Sequence, residues 1–157
     1  MPVVTVKTIG RTRRFEQFLF DTNICIYYLE GNSKVTTFMN EVLREPVNDL
    51  VLSVITEAEL FSSPTVYGNR ELTEVISRFI ADSDEVVEIT RAMGVLAGEI
   101  RSYFHQSFNR KIKLPDALIA ATAIVLNATL VSNNDKDFTE VMAKYRIPYI
   151  NPVRNDL

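Results

Sequence analysis

The stretch FLFDTN at residues 18–23 decides the fold of this chain, because a short apolar run stops there at an acidic residue. The run has the character of a buried β-strand, and Asp21 follows it directly. The arrangement returns at LVLSV, residues 50–54, and at TLVS, residues 129–132, each of which leads into a segment that carries acidic side chains. We therefore expect three strands that each end next to carboxylates.

Helical periodicity occupies the segments between these strands. Apolar residues recur at helical spacing over residues 35–43 and 72–80, and Thr90 is placed to cap a helix that runs towards Phe104. Pro115 suits the first turn of a further helix, whose body at residues 117–126 is apolar on all sides and is expected to be buried. Two further helices are predicted over residues 56–62 and 138–145. Strands that alternate with helices predict an α/β domain, an α/β/α sandwich around a mainly parallel sheet.

Composition restricts the class of protein. The chain has 157 residues, of which 46% are hydrophobic and 24% charged, with a net charge of −3, and this fits one ordinary globular domain. One cysteine and one histidine exclude an intramolecular disulfide and argue against a zinc site. We expect a cytoplasmic protein without a membrane span. We divide the chain into an N-terminal extension, residues 1–16, and one domain, residues 17–157.

Acidic residues cluster where the predicted strands end. Ligands of open parallel sheets bind beyond the carboxyl ends of the strands, so these residues are expected to meet at one edge. Their oxygens suit Mg²⁺ or Mn²⁺, which would also relieve the mutual repulsion of the carboxylates. The candidate residues are Asp21, Glu59, Asp116, Asn134, Asp135 and Asp137.

Each of these residues also has a purely structural explanation. Asp21 can cap a helix. The spacing from Thr56 to Glu59 matches a capping box. For Glu59 taken alone, we consider the structural and functional interpretations equally good. Asp116 in a first helical turn is favoured by the helix dipole. The conjunction of all of them favours a metal site.

Four segments in order resemble the PIN-domain superfamily, and within it the VapC-type toxin ribonucleases of prokaryotic toxin–antitoxin pairs. They are FDTN at 20–23, SVIT with EL at 53–60, LPD with IAATA at 114–123, and LVSNN with DF at 130–138. The resemblance implies a Mg²⁺- or Mn²⁺-dependent endoribonuclease that leaves 5′-phosphate and 3′-hydroxyl ends. It also implies a homodimer and a small antitoxin protein as partner.

The resemblance carries over to particular positions. Asp21, Glu59 and Asp116 match the acidic ligands of the family. For the fourth ligand we favour Asp137, with Asn134 as polar support and Asp135 pointing outwards. Thr56 and Ser132 match positions where a hydroxyl lies near the site.

Basic residues are few near these segments. Arg110, Lys111 and Lys113 precede Asp116 and are predicted to hold RNA phosphates, although a solvated connection between helices explains them equally well. Residues 1–14 are expected to be a frayed terminus, with contact to an RNA backbone as the alternative.

Other enzyme classes fit the sequence less well. A dehalogenase-type phosphatase needs a D-x-D pair, and nucleotide-binding folds need a glycine-rich loop, whereas this chain has five glycines and no such cluster. The alternative that remains is a non-catalytic PIN fold that binds RNA or protein.

Overall fold

The computed structural model describes residues 5–8, 11–14 and 16–154. In chain order the elements are β1 (Thr5–Thr8), β2 (Arg11–Arg14), β3 (Glu16–Phe20), α1 (Thr22–Leu29), α2 (Ser33–Arg44), β4 (Asn48–Ser53), α3 (Val54–Phe61), α4 (Arg70–Ala81), β5 (Glu85–Val87), α5 (Arg91–Phe108), α6 (Leu114–Leu126), β6 (Thr129–Val131), α7 (Asp135–Tyr145) and β7 (Tyr149–Ile150).

Five strands form the central sheet in the order β5-β4-β3-β6-β7, and every neighbouring pair is parallel. The strand β3, which carries the stretch that decides the fold, lies in the middle, where Leu19 pairs with Val51 on one side and with Leu130 on the other. This confirms the predicted α/β sandwich with a parallel sheet. The sheet begins at Glu16, the last residue of the predicted extension.

Two apolar layers cover the two faces of the sheet, as the uninterrupted apolar strands require. Leu19, Val51 and Leu130 face one layer, in which α5, α6 and α7 supply most of the side chains. Phe20 and Leu52 face the other, together with residues of α1, α2 and α4. Successive strand residues thus alternate between two cores.

Among the helices, α6 has the largest share of buried residues. Its residues Ala117, Ala120 and Ala121 are fully buried, and small side chains there let α6 lie close to α5. Pro115 stands in its first turn, as predicted. Among the described residues, no helix is both long enough and apolar enough to span a bilayer.

Two helix starts differ from the prediction. The helix α3 begins at Val54, and its N-cap is Ser53, whose hydroxyl accepts a hydrogen bond from the Ile55 N–H at 3.1 Å. The capping-box interpretation of Thr56 and Glu59 was therefore wrong, because Thr56 lies inside the helix. The helix α7 begins at Asp135 rather than Phe138, so Asp137 belongs to a helical first turn.

An antiparallel pair, β1 and β2, precedes the domain, with Thr5 opposite Arg14 and Thr8 opposite Arg11. The sequence had not predicted these strands. The predicted RNA contact of this extension concerns side chains outside the described residues.

Candidate active site

The four predicted acidic ligands lie at the carboxyl edge of the sheet. Asp21 directly follows β3 and is the N-cap of α1, while Glu59 lies on α3, which follows β4 without a break. Asp116 is in the first turn of α6, and Asp137 is in the first turn of α7, after β6. They act on one another electrostatically, Asp21 with Asp116 and Glu59, and Asp116 with Asp137 and Glu59.

Asp21 is the most enclosed of the four, with 3% of its surface exposed. Its Oδ1 accepts from the Thr22 backbone N–H at 2.8 Å, and its Oδ2 accepts from the Ser132 hydroxyl at 2.7 Å and from Asn23 Nδ2 at 3.2 Å. All three donors are neutral. Burial raises the pKa of Asp21 to about 6, against the lowering effect of the Ser132 and Thr22 hydrogen bonds, with smaller contributions from Asp116 and Glu59.

The Glu59 carboxylate is held by a hydroxyl of α1. Thr22 Oγ1 donates to Glu59 Oε1 at 2.9 Å and also lies 3.3 Å from Thr56 Oγ1. Thr56 is fully buried, so its hydroxyl stays within the protein next to Thr22. A pair of threonines thus joins the acidic residue of α3 to the helix that Asp21 caps.

Asp116 faces the other carboxylates from α6. Desolvation raises its pKa, the charges of Asp137 and Glu59 raise it further, and Lys113 lowers it. Repulsion by neighbouring carboxylates is the condition that a bound cation would relieve.

Asp137 already has a cationic partner. Arg110 Nη2 donates to Asp137 Oδ1 at 3.1 Å, and Asn134 Nδ2 donates to Oδ2 at 3.2 Å. Of the three predicted RNA-binding residues, Arg110 is therefore engaged within the protein, whereas Lys111 and Lys113 are exposed. The predicted supporting residue Asn134 thus contacts the predicted ligand Asp137, and its role at a metal site stays a prediction.

Asp135 belongs to a different network. Its carboxylate accepts from the Tyr149 hydroxyl at 2.7 Å, from Asn151 Nδ2 at 3.0 Å and from Arg154 Nη2 at 2.9 Å. The Tyr149 hydroxyl also lies 3.2 Å from the Ser132 carbonyl oxygen. This network, which lowers the pKa of Asp135 despite partial burial, fixes the loop that carries Ser132.

The oxygen ligands at this edge suit a hard divalent cation. Within the described part of the chain, no three acidic, histidine or cysteine side chains are arranged to hold a metal ion by themselves. Magnesium ions commonly keep several waters and use one or two carboxylates together with substrate phosphate oxygens, so they do not need a complete protein cage. A buried carboxylate with neutral donors, flanked by further carboxylates, fits such an ion.

The sequence matches the PIN domain family over residues 18–144. The chain belongs to this family. It is 30% identical over 125 residues to ribonuclease VapC2 of Rickettsia felis, a match that covers 79% of this chain and 91% of that protein.

Solved structures show the same PIN fold. VapBC2 from Rickettsia felis bound to a promoter DNA fragment matches at 24% identity with a TM-score of 0.71, over 86% of this chain and 98% of that one. VapBC-1 from nontypeable Haemophilus influenzae matches at 24% identity with a TM-score of 0.73, over 88% and 99% of the two chains. These structures confirm the predicted fold, while the family model and the related ribonuclease confirm the family resemblance of the sequence.

Several polar contacts of this PIN domain were not assigned from the sequence. Thr22 and Asn23 were not among the predicted site residues, yet their side chains contact Glu59 and Asp21. Both lie within two residues of Asp21, and this proximity in sequence could have indicated that they contact the site. The contact between Arg110 and Asp137 spans 27 residues, and nothing in the spacing predicts it.

Proposed function

We propose that this PIN domain is a Mg²⁺- or Mn²⁺-dependent endoribonuclease and the toxin of a toxin–antitoxin pair. The observation that carries the proposal is the enclosed carboxylate of Asp21, bonded by neutral donors and surrounded by the charges of Asp116 and Glu59. Such a group is costly without a cation. The relationship to a protein named as a ribonuclease supplies the substrate class.

Asp21, Glu59, Asp116 and Asp137 would hold the cation, some of them through its bound water molecules. When bound, it would lower the pKa of a water molecule and stabilise negative charge on the phosphodiester. The family resemblance implies cleavage that leaves 5′-phosphate and 3′-hydroxyl ends.

The neighbouring side chains orient these ligands. Ser132 and Asn23 fix the Oδ2 atom of Asp21, while the Thr22 N–H fixes Oδ1. Outer contacts, meaning hydrogen bonds from neighbouring groups to the metal ligands, typically change metal affinity or activity by about 10- to 100-fold. Thr22 has a double role, because its hydroxyl also orients Glu59.

RNA is engaged locally in this proposal, since the chain as a whole is acidic. Lys111 and Lys113 are exposed and precede Asp116, and in this proposal they neutralise backbone phosphates near the metal. Lys113 acts electrostatically on Asp116, which locates its charge beside the acidic edge.

A small antitoxin protein is a proposed partner, because the related solved structures are of VapBC. A second copy of the chain is proposed because the family resemblance implies a homodimer. An open groove of about 240 Å³, separate from the acidic edge, offers a surface for apolar side chains of a partner. Its lining includes Tyr28, Leu43, Val75 and Phe79 from α1, α2 and α4.

The deciding experiment is RNA cleavage by the purified chain with Mn²⁺, Mg²⁺ or EDTA, beside Asp21→Asn and Asp116→Asn. We expect cleavage with either ion, none in EDTA, and losses in both variants that exceed the roughly 100-fold typical of outer contacts. Glu71→Gln, which removes an exposed carboxylate of α4, is the matched control and should cleave like the wild type.

Calorimetry with Mn²⁺ separates the two candidate functions. Metal binding together with cleavage supports the nuclease. No cleavage of any RNA and no ion binding by a folded wild-type chain would reject it and favour the non-catalytic binding module.

A further inference from the structure

Arg110 lies beside Asp137 and is held in place by three contacts. Its Nη2 atom donates to the Lys136 carbonyl oxygen at 2.8 Å and to Asp137 Oδ1 at 3.1 Å. Its guanidinium carbon lies 5.2 Å from the centre of the buried Phe104 ring. These contacts fix a positive charge beside a carboxylate that is one of the four proposed ligands.

Each Asp137 oxygen accepts one hydrogen bond. Asn134 donates to Oδ2 while Arg110 donates to Oδ1, so each oxygen keeps about one lone-pair direction for a further partner. A divalent cation at Asp137 would also meet the like charge of the guanidinium. The ion pair is only partly exposed, at 35% for the Arg110 side chain and 16% for Asp137, so solvent screens this repulsion incompletely.

We propose that Arg110 is a positioning residue that competes with the divalent cation for Asp137 and binds an RNA phosphate once the cation has displaced it. The proposal rests on the metal-dependent nuclease function given above. Arginine suits both partners, because the same planar donors bond carboxylate and phosphate oxygens. Metal binding and RNA binding are thereby coupled through one side chain.

The coupling predicts that one substitution changes metal affinity and RNA affinity in opposite directions. Removal of the Arg110 charge strengthens metal binding, because the competitor for Asp137 is lost. The same change weakens RNA binding, because one phosphate contact is lost. A residue that only supported the local structure would weaken both.

Arg110→Met tests this, since methionine keeps an unbranched side chain against Phe104 but carries no charge. Calorimetry with Mn²⁺ alone should give a dissociation constant roughly two- to fivefold lower than that of the wild type, the range for a partly exposed ion pair. Arg110→Lys, which keeps the charge, should bind Mn²⁺ like the wild type.

RNA binding is then measured with a labelled single-stranded oligonucleotide and Ca²⁺, under conditions in which the RNA stays intact. Arg110→Met should bind more weakly, and its slope of log affinity against log salt should be smaller by about 0.7, the value for one contact to a single strand. Arg44→Met is the matched control. Arg44 is an exposed cation at the end of α2, near the amino end of β4 and thus at the end of the sheet opposite to the acidic residues.

Three results would overturn the proposal, and the first is weaker binding of both Mn²⁺ and RNA by Arg110→Met. If Arg110→Met and Arg44→Met bind Mn²⁺ and RNA equally well while the wild type binds metal and cleaves RNA, the competition is rejected and the nuclease function stands. If the folded wild type binds no Mn²⁺, both the competition and the proposed function are rejected.

Discussion

The Asp21 carboxylate is buried and its hydrogen-bond donors are all neutral, so its ionisation contributes to the response of the metal-free protein to pH. Its pKa in the folded chain is about 6, above the ordinary value of 3.8, because burial disfavours the charge. Because the pKa is raised by folding, the contribution of Asp21 to stability is complete below its pKa in the unfolded chain. This contribution is lost as the pH rises through its pKa in the folded chain. At about 1.4 kcal/mol per pKa unit, the loss reaches up to about 3 kcal/mol at neutral pH.

Asp21→Asn should therefore stabilise the metal-free fold. In EDTA at pH 7.5 we expect the variant to unfold at higher urea concentration than the wild type, with the difference shrinking towards pH 4.5. Asparagine keeps an oxygen acceptor for the Thr22 N–H, so the cap of α1 survives. Glu71→Gln should show no such pH-dependent gain, and equal stability of wild type and Asp21→Asn at every pH would contradict the expectation.

Three helices end in a left-handed residue that is not glycine, at Asn109, Asn127 and Arg146. Asparagine tolerates this conformation, whereas arginine has no compensating side-chain bond to its own backbone. Arg146 is exposed and has φ of 57°, while its N–H bonds the Ala143 carbonyl oxygen to close α7.

Arg146→Gly should stabilise the chain by about 1 kcal/mol, since glycine removes the steric penalty of the left-handed cap. For a chain of this size the gain corresponds to roughly 2–4 °C in the thermal midpoint. Arg146→Ala, which removes the same side chain but keeps Cβ, should give little or no gain. Equal midpoints for the glycine and alanine variants would show that the conformation carries no cost here.

Elements of this fold were predictable where one local signal dominated. The apolar run before Asp21 and the all-apolar body of α6 gave the central strand and the buried helix, because burial on both faces leaves that composition. The start of α3 was missed because the Thr56–Glu59 spacing resembles a cap, although Ser53 performs that role.

The acidic residues were predictable as a set, whereas their contacts were not. Strand ends meet at one edge in any parallel sheet, so Asp21, Asp116 and their neighbours could be grouped from topology alone. The pairing of Arg110 with Asp137 depends on how the α5–α6 connection packs against α7, which no local pattern records. The start of α7 was missed because its polar first turn looks like a loop.

At the scale of the whole molecule, cation binding should be measurable as folding free energy. An ion that binds only the folded chain stabilises it by about 2.7 kcal/mol at one hundred times its dissociation constant. We expect saturating Mn²⁺ to raise the thermal midpoint of the wild type and to leave Asp21→Asn and Asp116→Asn nearly unchanged. A similar rise in both variants would place the ion elsewhere on the molecule.

The strand order has a consequence for the chain during its synthesis. The central strand β3 is made first among the five, yet one of its two neighbours, β6, is made almost last. Asp21 and Glu59 therefore leave the ribosome long before Asp116 and Asp137, and the acidic edge cannot close until β6 has paired with β3. An unfinished nascent chain thus lacks half of its proposed ligands, so the proposed cleavage of RNA cannot begin before residue 137 has been made.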